Sequence, residues 1–227
     1  MPGLDPTFER TPRCPLCADL RTGVFAVAEG RVYHRCAGCL LTFLAPAARP
    51  SRAIELATYG QHRNDPGDPR YRAFLARLLD PLLHHLRPGM IGLDFGCGPG
   101  PTIRPMLARH RIEMIDYDPL FRPDPAALAR RYDFITCSEA IEHFFDAGRE
   151  LIRLDALLRP GGWLGVMTRM LTDDAGFAHW WYRRDPTHVA FFRRETMVWI
   201  ARHFRWHASF PEPTVALFHK PGAARQA

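Results

Sequence analysis

Gly92-Leu93-Asp94-Phe95-Gly96-Cys97-Gly98-Pro99-Gly100 is the stretch whose reading decides the fold. An apolar run (Met90, Ile91, Leu93) ends there on an acid and a cluster of glycines, and helix-like sequence follows. That order describes a strand, a tight turn and a helix start, with glycines where backbone must pass close to a ligand. The spacing is Gly-x-Gly-x-Gly. It differs from the Gly-x-Gly-x-x-Gly of a dinucleotide fingerprint, and no Lys-Ser/Thr pair follows as a phosphate loop requires.

Outward from this turn, strand-like and helix-like segments alternate. Residues 90–95, 112–115, 132–137 and 163–168 read as strands; 102–110, 148–158 and 194–203 read as helices. A closing hairpin is expected around 206–210 and 215–218, and upstream residues 71–86 carry helical periodicity interrupted by Pro81. The alternation implies an α/β fold with a doubly wound, Rossmann-like, mainly parallel sheet and an antiparallel hairpin at one edge. In such sheets ligands bind beyond the carboxyl ends of the strands. Asp94, the glycine turn, Asp116 and Ser138-Glu139 all fall there.

Together these residues resemble the class I S-adenosylmethionine-dependent methyltransferases. Leu93 to Gly100 looks like their first motif, and Ile115-Asp116-Tyr117-Asp118-Pro119 like the acidic end of their second strand. Tyr132-Asp133-Phe134-Ile135-Thr136-Cys137-Ser138-Glu139-Ala140-Ile141-Glu142-His143 looks like the fourth-strand motif, and Leu157-Leu158-Arg159-Pro160-Gly161-Gly162-Trp163-Leu164 like the turn into the fifth. The resemblance implies that Asp94, Gly96, Cys97, Gly98, Gly100, Asp116, Tyr117, Ser138 and Glu139 surround the cofactor. A carboxylate at the end of the second strand accepts both ribose hydroxyl protons. Asp116 is preferred for that role because it ends the apolar run, with Asp118 the alternative. Residues 119–131 are shorter than the family usually has, which leaves the adenine contact to Asp124 or to backbone.

The six cysteines include Cys14-x2-Cys17 and Cys36-x2-Cys39, separated by 18 residues. Two such knuckles match a structural zinc site, and a segment of this size needs a staple to fold. Ala18 and Leu40 stand where glycine often follows the second cysteine of a knuckle. The expected organisation is a zinc-ribbon-like module at 1–48, a linker and first helix at 49–89, and the methyltransferase domain at 90–227.

Glu139-x-x-Glu142-His143 opens a helical turn after the fourth strand, and His188 follows in an aromatic segment holding Phe177, Trp180, Trp181, Tyr182, Phe191 and Phe192. This arrangement resembles small-RNA 3′-terminal ribose methyltransferases and ubiquinone-pathway O-methyltransferases, which implies a divalent cation such as Mg²⁺ at Glu139, Glu142, His143 and His188. Metal-free relatives carry the same motif, so polar contacts or acid/base roles for Glu142, His143 and His188 stay open. The aromatic residues read equally as pocket or as core.

Bulk properties narrow the function classes. At 227 residues with net charge +6 and pI near 9.3, the basic side is almost wholly arginine, Lys220 being the single lysine. The arginines are scattered among acids and form no stripe. Residues 1–5 show neither a basic nor an apolar leader region, and no apolar run approaches membrane length, so a cytoplasmic protein is expected. The leading expectation is O-methylation of a small-molecule acceptor. An RNA ribose methyltransferase and a non-catalytic cofactor-binding scaffold remain as alternatives.

Overall fold

The buried strands form because Leu93, Phe95, Phe134, Ile135, Cys137, Leu164 and Val166 offer apolar side chains to both faces of a sheet. The computed structural model describes residues 11–61 and 64–222; the reading of residues 1–5 lies outside them. Strands are β1 (Thr22–Ala28), β2 (Arg31–Cys36), β3 (Thr42–Leu44), β4 (Ile91–Phe95), β5 (Glu113–Tyr117), β6 (Tyr132–Ser138), β7 (Leu158–Met167), β8 (Ala190–Phe191), β9 (His207–Glu212) and β10 (Val215–His219). Helices are α1 (Arg52–Tyr59), α2 (Pro69–Leu83), α3 (Ile103–Ala108), α4 (Ala147–Leu157) and α5 (Arg194–Phe204).

A six-stranded sheet runs β5-β4-β6-β7-β10-β9. The four strands β5, β4, β6 and β7 are parallel, and β10 pairs antiparallel with both β7 and β9. This is the expected mixed Rossmann-like sheet with its antiparallel edge. Leu75, Leu78, Leu79 and Leu82 of α2 and Ile103, Met106 and Leu107 of α3 pack on one face. Leu151, Leu154 and Leu157 of α4 and Met197 and Ile200 of α5 pack on the other. Pro81 lies inside α2, and Asp68 caps its start by accepting from the Arg70 amide. Among the described residues, no helix is long and apolar enough to cross a membrane.

The second sheet, β1-β2-β3-β8, is antiparallel and holds three strands that were not expected: β1, β3 and β8. Helix α1 also occupies part of the expected linker. Strand β8 follows β7 by a long connection and pairs Phe191 with Thr42 and Ala190 with Phe43. The cysteine segment therefore shares a core with the larger sheet. Cys14, Leu16, Cys36, Cys39, Leu41 and Phe43 cluster with Ala147, Leu151 and Phe192.

The tightest point of this junction is Gly148 in the first turn of α4. Its amide donates to the Pro15 carbonyl at 2.8 Å, and a Cβ there would sit 2.5 Å from the Leu16 carbonyl oxygen. Alanine ordinarily favours a helix over glycine by about 1 kcal/mol. Here overpacking against backbone, worth about 1–3 kcal/mol, wins. Gly148→Ala is expected to lower the melting temperature, at about 2–4 °C per kcal/mol. A raised melting temperature in a thermal scan would show that the cysteine segment is not pressed on α4.

Candidate active site

The glycine turn closes around β4 because two residues adopt conformations that side chains resist. Gly96 (φ +83°) and Gly98 (φ +64°) lie in the left-handed region, and a Cβ on Gly96 would stand 2.6 Å from the Ala140 Cβ. Gly96 and Cys97 donate their amides to the Tyr117 carbonyl at 2.8 and 3.1 Å. A cavity of about 930 Å³ opens over this turn.

Of the residues expected around a cofactor, Gly96, Cys97, Gly98, Tyr117, Ser138 and Glu139 line the cavity. Burial pushes the Cys97 thiol well up, which disfavours the reactive thiolate. Gly100 instead faces the Asn64 backbone, which leaves no room for a Cβ. Asp94 lies buried beneath the turn and accepts from Thr136 Oγ1 at 2.8 Å. Burial pushes its carboxyl up to about 7, with Asp116 and Asp118 adding repulsion.

The structure does not bring Asp116 to this cavity. Strand β5 runs one residue past it, and the alternation of side chains turns Asp116 toward α3, where it pairs with Arg104 at 3.5 Å. It lies instead on a separate shallow cleft with Asp124. Asp124 itself accepts from the Ala126 amide and caps a short turn, so it does not reach the main cavity. The acid on the cavity wall is Asp118. It accepts from the Gly98 amide at 3.0 Å and from the Leu120 and Phe121 amides at 2.8 and 3.1 Å.

Glu139, His143, Tyr182 and His188 line the same cavity, with Glu142 buried behind them. Residues 141–143 form a 3₁₀ turn rather than the start of an α-helix, and Glu139 before it takes φ +47°. Glu142, His143 and His188 offer ligand atoms within 4.8 Å of one another, whereas Glu139 stands outside this trio. Both imidazoles donate from Nδ1 to backbone carbonyls, since a carbonyl only accepts: His143 to Thr187 at 3.0 Å and His188 to Tyr182 at 2.7 Å. Each therefore keeps Nε2 as the basic nitrogen. Burial also lowers the His143 pKa.

Tyr182, not singled out among the aromatic residues in the sequence, ties this wall together. Its hydroxyl donates to Glu142 Oε1 at 2.5 Å, lies 3.4 Å from Glu139 Oε2 and 3.0 Å from Thr168 Oγ1. Burial and the two carboxylates push the phenol far up, so it remains a donor. Burial raises both carboxyls, Glu139 further through the charge of Glu142. Glu142 Oε2 is buried with no hydrogen-bond partner among the described residues. The aromatic segment divides: Phe177, Phe191 and Phe192 are core, and Trp181 and Tyr182 face the cavity.

At the cysteine segment, Cys14, Cys17, Cys36 and Cys39 bring their sulfurs within 4.8 Å of one another, with Cys14–Cys39 and Cys17–Cys36 both at 3.5 Å. Tetrahedral ligands at about 2.3 Å from zinc stand roughly 3.8 Å apart. Ala18 (φ +60°) and Leu40 (φ +61°) adopt the left-handed conformation that glycine usually supplies. Their amides bond to the Cys14 and Cys36 carbonyls at 3.0 and 3.1 Å, so the two knuckles have matching geometry.

A family described as a methyltransferase domain matches residues 68–206, more than half of the chain. The chain belongs to the S-adenosylmethionine-dependent methyltransferases. Solved structures similar to this methyltransferase include 1,6-didemethyltoxoflavin-N1-methyltransferase from Burkholderia thailandensis, with 15% identity, TM-score 0.54, and coverage of 86% of this chain and 98% of that one. An O-methyltransferase family protein from the same organism has 18% identity and TM-score 0.45, over 70% of this chain and 62% of that one. N-methyltransferase NodS from Bradyrhizobium japonicum has 18% identity and TM-score 0.45, over 75% and 97%. The methyltransferase thus spans less than two thirds of the O-methyltransferase family protein. At these identities the likeness is one of fold, carried by the first structure. No curated protein matches the chain. The matched family begins at α2, which leaves the cysteine segment outside it.

Asp94 generates a pH test. Between 3.8 and about 7 the folded protein holds a proton on Asp94 that the unfolded chain releases. Its contribution to stability therefore declines as pH rises across that window. Asp94→Asn is expected to flatten the fall of melting temperature between pH 5 and pH 8. Parallel curves for variant and parent would contradict the assignment.

Proposed function

We propose that this methyltransferase moves the sulfonium methyl group of S-adenosylmethionine to an oxygen of a small-molecule acceptor. The observation that carries the reading is one cavity with two unlike walls. One wall holds a glycine turn and an anchored acid; the other holds Tyr182, Glu139, His143 and His188, with Glu142 behind Tyr182. A volume of about 930 Å³ suits a cofactor with a small acceptor better than a polymer. The family and the S-adenosylhomocysteine bound to the structurally similar 1,6-didemethyltoxoflavin-N1-methyltransferase support the donor assignment.

The residues fit the cofactor. Gly96 and Gly98 leave backbone open to the ligand, Ser138 has a buried hydroxyl without a protein partner among the described residues, and Asp118 is held by three amides. When bound, the cofactor supplies an electrophilic methyl group. Asp118, not Asp116, would accept the ribose hydroxyl protons, and Asp94 would support the turn from below. On the other wall His188 or His143 takes the acceptor's proton at Nε2. The Nδ1 bonds to carbonyls fix that tautomer and orient each ring.

As an alternative to that acid/base role, the same two Nε2 atoms together with Glu142 would hold a divalent ion, whose charge rather than an imidazole base would then act on the acceptor's hydroxyl. The orphaned Glu142 Oε2 and the two carbonyl-oriented imidazoles suit one. Two nitrogens and a carboxylate favour Mn²⁺, Fe²⁺, Co²⁺ or Zn²⁺ over Mg²⁺, which prefers all-oxygen ligands. Such an ion lowers the pKa of a bound hydroxyl. The four cysteines would hold a structural zinc ion, their spacing and paired knuckles being the support.

Two measurements test these assignments. Calorimetry with S-adenosylhomocysteine is expected to show a roughly 10–100-fold loss for Asp118→Ala, about 1.4 kcal/mol per tenfold, and little change for Asp116→Ala. The reverse order would return the ribose to Asp116. Co²⁺ added to protein loaded with a single equivalent of zinc, held by the four cysteines, is expected to give visible ligand-field absorption that His188→Ala abolishes. The same spectrum in both proteins would remove the metal from this wall.

A further inference from the structure

The long connection at residues 168–189 carries Tyr182 and His188, yet it holds only short 3₁₀ turns. Loops of this length rarely keep a defined shape by themselves. What holds this one comes from the N-terminal hairpin. Strands β1 and β2 meet in a two-residue turn at Glu29 (φ +51°) and Gly30 (φ +74°), the left-handed pair of a tight hairpin. From this hairpin Arg35 donates to both carboxylate oxygens of Asp174 at 2.5 and 2.9 Å, and Arg31 donates to the Pro186 carbonyl at 3.1 Å.

Between these points lies Arg183, whose side chain is 0% exposed. A buried guanidinium destabilises a fold by several kcal/mol unless it is well paired. Arg183 meets Glu29 through both terminal nitrogens at 3.2 and 3.5 Å, the Tyr33 hydroxyl at 3.3 Å and the Ala178 carbonyl at 2.8 Å. Three of these four contacts are to the hairpin, 150 or more positions away in the chain. The neighbouring residue, Tyr182, points the other way into the carboxylate pair, and its carbonyl orients His188.

We infer that the N-terminal hairpin clamps the loop at 168–189, and that Arg183 is the positioning residue that fastens Tyr182 and His188 at the acceptor wall. The inference rests on the reading of that wall as the acceptor side. It gives the cysteine segment a role in the same site, since the hairpin begins and ends beside the cysteines. Arg183 touches neither cofactor nor acceptor; it acts through its neighbours.

The test uses full-length Arg183→Met and needs no acceptor. Hydrogen exchange followed by NMR is expected to accelerate tenfold or more at the His188 and Val189 amides, with Leu93 and Ile135 within twofold of the parent. Affinity for S-adenosylhomocysteine is expected within threefold of the parent. The ¹⁵N signature of His188 is expected to lose its single Nδ1–H tautomer. Arg183→Lys should fall between the two, because lysine keeps the charge but not the fork. Unchanged exchange at Val189 and His188, or equal acceleration across the whole sheet, would overturn the clamp. Should Arg183→Met fail to fold, Glu29→Gln at the exposed end should give a smaller acceleration at the same two amides, and none would overturn the inference. Failure of the acceptor-wall reading looks different: His188→Ala would transfer methyl groups at the parent rate while the exchange result stood.

Discussion

One residue of backbone, Val189, joins the two halves of the molecule. Its amide donates to the Glu142 carbonyl at 2.9 Å, and its carbonyl accepts from the Leu44 amide at 2.8 Å. On one side is the turn after β6 that carries Glu142 and His143; on the other is β3 of the cysteine segment. Buried backbone groups must find partners, so this clasp leaves the chain little freedom in how it brings the two together. His188 stands immediately before it, and β8 immediately after. The position of His188 thus follows from this pairing and from the hairpin contacts to the loop rather than from the loop's own preferences.

The site concentrates polar groups that a fold does not ordinarily bury. Glu139, Glu142 and Tyr182 share one hydrogen-bonded knot, and burial holds both carboxyls above their usual range. Across the cavity, Asp94 is buried beneath the glycine turn while Asp118 is tied by amides at its mouth. Glu139 and Asp118 line the cavity while Asp94 and Glu142 are buried behind it, and raised carboxyls gathered around a cavity mark a candidate chemical site. Such polar groups are costly unless something rigid holds them. The parallel strands supply that rigidity beneath the glycine turn, and the N-terminal sheet supplies it behind the loop that carries Tyr182 and His188.

Legibility in the sequence followed burial. Strands β4, β6 and β7 contain apolar runs with both faces covered, so their succession along the chain could be read directly, although β7 starts at Leu158 and takes in Pro160-Gly161-Gly162, which by sequence reads as the turn before it. Strand β1 could not, because Val24 and Val27 are exposed and no alternation marks a buried face. Strands β3 and β8 are three and two residues long; β3 pairs with β2 as well, whereas β8 pairs with β3 across about 150 positions of chain. Helix α1 is amphipathic but only eight residues long and buries none of them, so its pattern was too short to stand out from the Pro/Ala/Arg stretch before it. The choice between Asp116 and Asp118 turned on parity. The extra strand residue Tyr117 was invisible in the composition, and it sends Asp116 to α3 and leaves Asp118 at the cavity. The trio Glu142, His143 and His188 was legible as residue types, whereas Tyr182 as their link required the fold.

The most direct test of the central claim is a crystal structure of the full chain with S-adenosylhomocysteine. The account predicts the ribose hydroxyls on Asp118, the methionine tail along the Gly96–Gly98 turn, and the sulfur facing the wall of Glu139, His143, Tyr182 and His188. A ribose on Asp116, or a sulfur directed away from His143 and His188, would contradict it.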